Sequence, residues 1–371
     1  GDAGLKSLTF KEVHERALSI GCNLSEKGIK KGDRVAIFSE NCPEWGTAYL
    51  GIVSIGAVAV PLDAQYTKEE VENLLKDSES KAFFTSNTLF PIAQEASKGL
   101  NIKMIRLDEP FPENPPSSPI AKGGKSSESP LEKGGFRGIS RLELSDGDLA
   151  SLLYTSGATG IPKGVMLTHG NLLSNADALI RPGIVSHNDH VLCILPLHHT
   201  YPFMVCFLVP VLVGGKVTFL NSLKGPDIVR AIREEGITVL AGVPQLYSFM
   251  RNGILEKIRS IMGLKGLIVN ALFVICREVR KGTGINIGKV VFRKVHNEFG
   301  KALRFFASGG ARLDPSIAID MEGLGFTILE GYGLTETSPV ATFNLPGKKK
   351  TGSVGKVINQ VEVKVESPDQ A

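Results

Sequence analysis

Short Val- and Ile-rich clusters alternate with helical patterns along this chain, and few architectures can bury that arrangement. Arg34-Val-Ala-Ile-Phe-Ser39, Ala57-Val-Ala-Val-Pro-Leu62 and Lys81-Ala-Phe-Phe-Thr-Ser86 each read as a short buried strand. The same pattern predicts strands at 149–154, 190–197, 216–220, 237–243, 303–308, 326–330 and 361–365. Ahead of the first strand, Phe10, Val13, Ala17, Ile20 and Leu24 recur at helical spacing. Thr67 followed by Glu70 forms a capping box that opens a helix after the second strand. Strands separated by helices predict an α/β fold.

The chain has 371 residues, which at about 150 residues per domain suggests two to three domains. Hydrophobic residues make up 42% and charged residues 22%, enough for a sizeable core and against global disorder. Lys and Arg number 42 against 38 Asp and Glu, and a net charge of +4 is too small to argue for a nucleic-acid partner. Cys22, Cys42, Cys193, Cys206 and Cys276 include no C-x-x-C pair, so neither a zinc site nor a disulfide framework is indicated. A reducing cytoplasm fits that usage. The longest apolar stretches, 48–62 and 203–215, fall short of the roughly 20 residues a membrane-spanning helix needs. The first residues carry neither an initiator Met nor an apolar signal, which reads as a boundary within a longer protein. From 110 to 140 the periodicity gives way to Pro, Ser, Gly and Lys, and the segment reads as a surface excursion with too little apolar area to order itself.

The most informative stretch is Tyr154-Thr-Ser-Gly-Ala-Thr-Gly-Ile-Pro-Lys-Gly164, a strand running into a loop rich in Gly, Ser and Thr. Gly157, Gly160 and Gly164 would let backbone N–H groups approach anionic oxygens, Thr155, Ser156 and Thr159 add hydroxyl donors, and Lys163 adds charge. That chemistry suits phosphate. Lys163 lies between Pro162 and Gly164 rather than before Ser or Thr, so a Walker-type loop is excluded. Asn171 reads as a helix cap. Downstream, Glu330-Gly-Tyr-Gly-Leu-Thr-Glu-Thr-Ser338 offers a hard oxygen ligand in Glu336, a phosphate donor in Thr335 and a flat ring in Tyr332.

Taken in order, these two segments resemble the paired motifs of the adenylate-forming superfamily, which includes acyl-CoA synthetases, peptide-synthetase adenylation domains and luciferases. Lys31-Gly-Asp-Arg-Val-Ala-Ile-Phe38, Asn41-Cys-Pro-Glu-Trp45 and Phe306-Ala-Ser-Gly-Gly-Ala311 extend the resemblance over nearly the whole chain. It implies an N-terminal large domain over 1–371, with mixed and parallel sheets flanked by helices in layers and a small distorted β-barrel. It also implies that Thr155, Ser156, Gly157, Thr159, Gly160 and Lys163 cradle the phosphates of ATP. Thr335 would touch the α-phosphate and Glu336 would hold Mg²⁺. Gly309, Gly310 and Ala311 would line the adenine pocket with Tyr332 against the ring, while Gly331 and Gly333 keep the backbone close. His199, within Leu195-Pro-Leu-His-His-Thr-Tyr201, would sit near the reacting carboxylate; without the resemblance it reads as a core histidine.

Two departures stand out in the motifs. Ala158 replaces a Ser or Thr usual in the family loop, removing one donor, and Arg312 stands where many relatives have Pro. The chain also stops before the family's ribose-binding Asp, its hinge and its C-terminal lid domain with the catalytic Lys. A piece without them is expected to catalyse poorly or not at all by itself.

The segment 252–304 runs from Leu264-Lys-Gly-Leu-Ile-Val-Asn-Ala-Leu-Phe-Val-Ile-Cys276 into a basic stretch with Arg277, Arg280, Lys281, Lys289, Arg293 and Lys294. Its placement and Val290-Val-Phe-Arg-Lys-Val295 resemble long-chain fatty acid–CoA ligases. Such a segment either packs as a helical pair with a solvated basic face, the simpler expectation, or lies peripherally on the inner face of a membrane. The resulting expectation is an AMP-forming ligase that joins a fatty acid to coenzyme A using ATP. The alternatives are an adenylating ligase passing another acid to a carrier protein, and a nucleotide- or acyl-binding module without turnover.

Overall fold

The computed structural model describes residues 7–109, 143–156 and 162–366. The excursion at 110–140 and the loop residues Gly157, Ala158, Thr159 and Gly160 lie outside the described residues. The chain divides into two compact units, Gly1–Gly170 and Asn171–Ala371.

In the first unit, strands β1 (Arg34–Phe38), β2 (Val58–Leu62), β3 (Ala82–Thr85), β4 (Lys103–Arg106), β5 (Leu149–Ser156) and β6 (Pro162–Thr168) form one sheet in the order β4-β3-β1-β2-β5-β6. All neighbours are parallel except β5 and β6. Helix α1 (Phe10–Glu26) precedes the first strand, and α2 (Pro43–Ser54), α3 (Lys68–Asp77) and α4 (Phe90–Ala96) supply crossovers between parallel strands. The uninterrupted burial of β2 and β3 is what helix-covered parallel strands require. Ala17, Ile20 and Leu24 form the buried stripe of α1, as their spacing predicts, while Phe10 lies exposed at its start. Both hydrogen bonds of the Thr67 and Glu70 capping box are made.

Helix α5 (His169–Ile180) spans the boundary between the units, and Asn171 lies inside its first turn rather than at a cap. In the second unit, β7 (His190–Cys193), β8 (Lys216–Phe219), β9 (Val239–Gly242), β10 (Phe305–Ser308), β11 (Ile328–Gly333), β12 (Val340–Phe343) and β13 (Lys356–Val357) are ordered β13-β12-β11-β10-β9-β7-β8. The sheet is parallel from β8 to β11 and antiparallel beyond. Of the expected barrel, the described residues show the antiparallel ribbon β11-β12-β13. The stretch 361–365, read as a strand from its alternating Val residues, is irregular. The expected strand at 190–197 ends at Cys193.

Helices α6 (Thr200–Pro202), α7 (Val209–Val213), α8 (Gly225–Glu234), α9 (Pro244–Arg259), α10 (Gly263–Thr283), α11 (Gly288–Val291), α12 (Arg293–Phe299) and α13 (Pro315–Gly323) complete this unit. Its core joins Leu240, Phe306 and Ile328 from the sheet to Ile232 of α8, Tyr247 of α9, Phe299 of α12 and Met321 of α13. Helix α10 has two apolar faces. Val269, Phe273 and Cys276 pack on the core, whereas Leu264, Leu267, Ile268 and Ile275 are 74%, 71%, 50% and 52% exposed. The solvated face of its first half is therefore apolar, and the cations gather in its last turns. No helix among the described residues is long and apolar enough to cross a membrane.

Asp189 ties the beginnings of three strands together. Its buried carboxylate accepts from Arg304 Nη1 at 2.5 and 2.6 Å, from Thr238 Oγ1 at 2.7 Å and from the Ser186 N–H at 2.8 Å. Burial opposes its charge, yet the guanidinium and the other donors hold the carboxyl below the usual carboxylate value. The carboxylate thus contributes stability above its unfolded value near about 3.9, and that contribution is lost as pH falls through the lower folded value. Asp189→Asn should reduce unfolding free energy at neutral pH by about 1.5 kcal/mol, because Thr238 and the Ser186 N–H lose a charged acceptor while half-exposed Arg304 is left to solvent. It should also flatten the acid limb of stability measured by denaturant melts at stepped pH. An unchanged midpoint at neutral pH would remove Asp189 as the tie.

Candidate functional site

Open parallel sheets present their functional turns at the carboxyl ends of the strands. In the second unit two such ends carry the motif residues. Strand β10 finishes at Ser308 and turns through Gly309, Gly310 and Ala311, while β11 finishes at Gly333 and leads into a 3₁₀ turn, Thr335–Thr337. Close packing explains two of the glycines. A Cβ on Gly309 would lie 2.8 Å from the Tyr201 ring, and one on Gly333 would lie 1.8 Å from the Pro339 carbonyl oxygen. Gly310 and Ala311 are exposed, and Gly331 pairs with Phe343 across β12.

The 3₁₀ turn is held from three directions. Thr200 Oγ1 donates to Thr335 Oγ1 at 2.9 Å, and the Leu334 N–H donates to Thr337 Oγ1 at 2.9 Å. From α5, buried Asn175 donates through Nδ2 to the Val340 carbonyl at 2.7 Å and accepts the Val340 N–H at 3.2 Å. Glu336 is left exposed, and Tyr332 is 50% exposed with its ring available as a platform. Tyr201 donates to the Ala307 carbonyl at 3.0 Å, bracing β10 immediately before its turn. His199 is exposed at the start of α6, with its ring centroid 4.1 Å from that of His198. It is therefore not a core histidine. Cys193 and Cys206 are fully buried, and burial pushes the Cys193 thiol up, so both belong to the packing.

In the first unit the residues on either side of the phosphate-type loop belong to the antiparallel partners β5 and β6. The register of β5 and β6 sets Thr155 opposite Lys163 and Ser156 opposite Pro162. Lys163 is exposed at the start of β6. Thr155 and Lys163 thus face each other across the pair, and residues 157–161 between the strands lie outside the described residues.

Thr200, Tyr201, Asn175 and Ser308 were not singled out by sequence reasoning. Thr200 and Tyr201 adjoin His199 in a conspicuous motif, so a signal was present. Asn175 looked like any polar residue on a helix, and its role depends on a strand far along the chain. The Ser308 hydroxyl is buried without a hydrogen-bond partner among the described residues, right beside the Gly309 turn. A buried hydroxyl in that state fits a site completed by a polar ligand. Glu336 is an exposed hard-oxygen donor of the kind that could hold Mg²⁺.

Comparison with known proteins shows the family. Residues 3–371 match the family model described as AMP-binding enzyme. The chain is 31% identical over 369 residues to fatty acyl-CoA synthetase A of Dictyostelium discoideum, covering 97% of this chain and 55% of that protein. It is 28% identical over 372 residues to 4-coumarate–CoA ligase 3 of Arabidopsis thaliana, covering 97% and 57%. The crystal structure of apo MatB from Rhodopseudomonas palustris matches with a TM-score of 0.72 at 25% identity, over 99% of this chain and 62% of that one. The chain spans about half the length of the curated relatives it matches.

Asn175→Ala should lower stability by about 2 kcal/mol, because the buried Val340 N–H and carbonyl would lose their partners. Amide exchange at Val340 should accelerate in parallel. Equal protection in variant and parent would show that the turn after β11 is held without the clamp.

Proposed function

We propose an acid–thiol ligase function from one premise: this chain belongs to the AMP-binding enzyme family. In the complete protein, a carboxylate oxygen attacks the α-phosphorus of ATP, the bond to the β-phosphate oxygen breaks, and pyrophosphate leaves. The thiol of coenzyme A then attacks the acyl carbon, AMP departs, and the thiol proton passes to solvent. A fatty acid is the preferred substrate class, supported by the relative from Dictyostelium discoideum and by the likeness of segment 252–304 to long-chain ligases. The observation that carries the reading is the braced turn after β11, where Thr200 orients Thr335 beside exposed Glu336.

Each residue has an assigned task. Thr335 donates to the α-phosphate, and Lys163 with the hydroxyls of Thr155, Ser156 and Thr159 neutralises charge on the leaving pyrophosphate. Gly157 and Gly160 give the loop backbone access to the same oxygens. Gly309, Gly310 and Ala311 line the adenine pocket with Tyr332 on the ring, and Gly331 and Gly333 keep β11 close to it. His199 sits on the acyl side of the reacting carboxylate. Mg²⁺ bound by Glu336 supplies further charge neutralisation on the phosphates.

In the complete protein, Lys163→Met and Glu336→Gln should each lower acid-dependent ATP–pyrophosphate exchange by about 100-fold, with folding unchanged by circular dichroism. A panel of palmitate, acetate and 4-coumarate should rank palmitate first. Preference for 4-coumarate would transfer the reading to aromatic acids, in keeping with the Arabidopsis thaliana relative. Exchange with no acid, despite binding of an acyl-adenylate mimic, would leave a binding module.

The outer face of α10 supports peripheral membrane contact. Leu264, Ile268 and Ile275 form an exposed apolar stripe, and Lys265 with the cations of 281–294 complements an anionic lipid surface. Co-sedimentation with phosphatidylglycerol vesicles should exceed that with phosphatidylcholine and fall in a Leu264→Glu/Ile268→Glu variant. Equal sedimentation with both lipids would remove the membrane from the picture.

A further inference from the structure

One cavity of the second unit lies away from the turns just described. It has a volume of about 670 Å³ and lies among the last turns of α10, helix α13 and the segment 346–351, reaching Arg304 and Phe305 where β10 begins. The nucleotide turn follows Ser308 at the other end of that strand, about 10 Å away at the usual rise per residue. The volume is within the range of small-molecule sites.

Its charge is one-sided. The lining brings Arg277, Arg280, Lys281, Arg304 and Lys349 together against the single carboxylate of Glu322. Arg304 is engaged by Asp189, Arg277 by Asp320 at 3.5 Å, and Lys349 by Glu322. Arg280 and Lys281 have no carboxylate within ion-pair distance among the described residues; Arg280 Nη1 donates to the Gly284 carbonyl, which aims the guanidinium at the end of its own helix. Burial, with the Arg280 guanidinium nearby, pushes the Lys349 ammonium down to about 8 even though Glu322 adjoins it. An excess of cations held this close is relieved by an anion. Phe305, Pro315 and Ile319 add an apolar wall, so an anionic group alone would leave part of the cavity unmatched.

We propose that this cavity binds a phosphomonoester joined to an apolar portion, with Arg280 and Lys281 on the phosphate and Phe305, Pro315 and Ile319 against the apolar part. Guanidinium and ammonium donors converge on a doubly charged phosphate more effectively than on a carboxylate. The site is built wholly from the second unit and is independent of the ligase reading. The same chemistry is available from a soluble phosphate ester or from a lipid headgroup such as phosphatidic acid.

The 371-residue chain would be titrated, without divalent cations, with inorganic phosphate and phenyl phosphate and followed by ³¹P NMR and calorimetry. Phenyl phosphate should bind about tenfold more tightly than inorganic phosphate, as burial of a ring predicts. Arg280→Gln/Lys281→Gln should weaken it by about tenfold, while the charge-matched Lys27→Gln/Lys30→Gln variant leaves it unchanged. A parallel arm compares vesicles containing phosphatidic acid with phosphatidylglycerol vesicles of matched charge. A preference for phosphatidic acid that disappears in Arg280→Gln/Lys281→Gln, without binding of phenyl phosphate, assigns the cavity to a lipid headgroup. The proposal is overturned if neither ligand binds, if binding ignores the Arg280 and Lys281 changes, or if Lys163→Met abolishes it.

Discussion

The second unit depends on one buried carboxylate. Asp189 stands at the start of β7 and gathers Thr238 from the start of β9 and Arg304 from the start of β10. Three parallel strands are thereby fixed at their amino ends, in the order that the central sheet requires. Parallel strands cannot be joined by tight hairpins, so each must be reached by a long crossover, and their alignment needs a specific device besides apolar packing. A buried charge fits that need because it tolerates few alternative partners.

With the amino ends anchored, the carboxyl ends can carry turns that would be hard to stabilise alone. The turn after β10 is braced by Tyr201, and the turn after β11 by Thr200 and Asn175. These braces come from α5 and α6; Thr200 and Tyr201 adjoin a conspicuous motif, whereas Asn175 carries no local hint of the task. The result is a pair of turns in which exposed Glu336 and Tyr332 rest on buried, hydrogen-bonded supports. Rigid support beneath exposed functional groups is what positions them without loss of side-chain freedom on binding. The amino ends of the same strands open instead onto a cationic cavity, so β10 connects two chemically different surfaces.

Helix α10 shows how one sequence feature can serve two neighbours. Its inner face closes the core through Val269, Phe273 and Cys276, and its outer face keeps Leu264, Ile268 and Ile275 in solvent. A helix apolar on opposite sides is not explained by packing within the unit. Its last turns then exchange apolar side chains for Arg277, Arg280 and Lys281, which line the cavity. The apolar stripe is thus exposed along the first turns, and the cations of the last turns line the cavity.

Local chemistry determined much of this protein from sequence alone. The buried strands β1, β2 and β3 are continuous apolar runs, α1 has a clear stripe, and the Thr67 capping box needs only residues three apart. The motif segments around Lys163 and Glu336 pointed to the family through their order, and the family match bears that resemblance out. Tertiary structure decided what depends on distant partners. Strand β6 reads as a loop, since Pro162, Lys163 and Gly164 are poor strand formers, yet an edge position tolerates them. The alternating valines at 361–365 promise a strand but find no described neighbour to pair with. His199, which reads as a core histidine only without the family resemblance, is exposed at a helix start. The clamp from Asn175 and the cation cluster around Arg280 exist only where segments far apart in the chain meet, and no local pattern encodes that meeting.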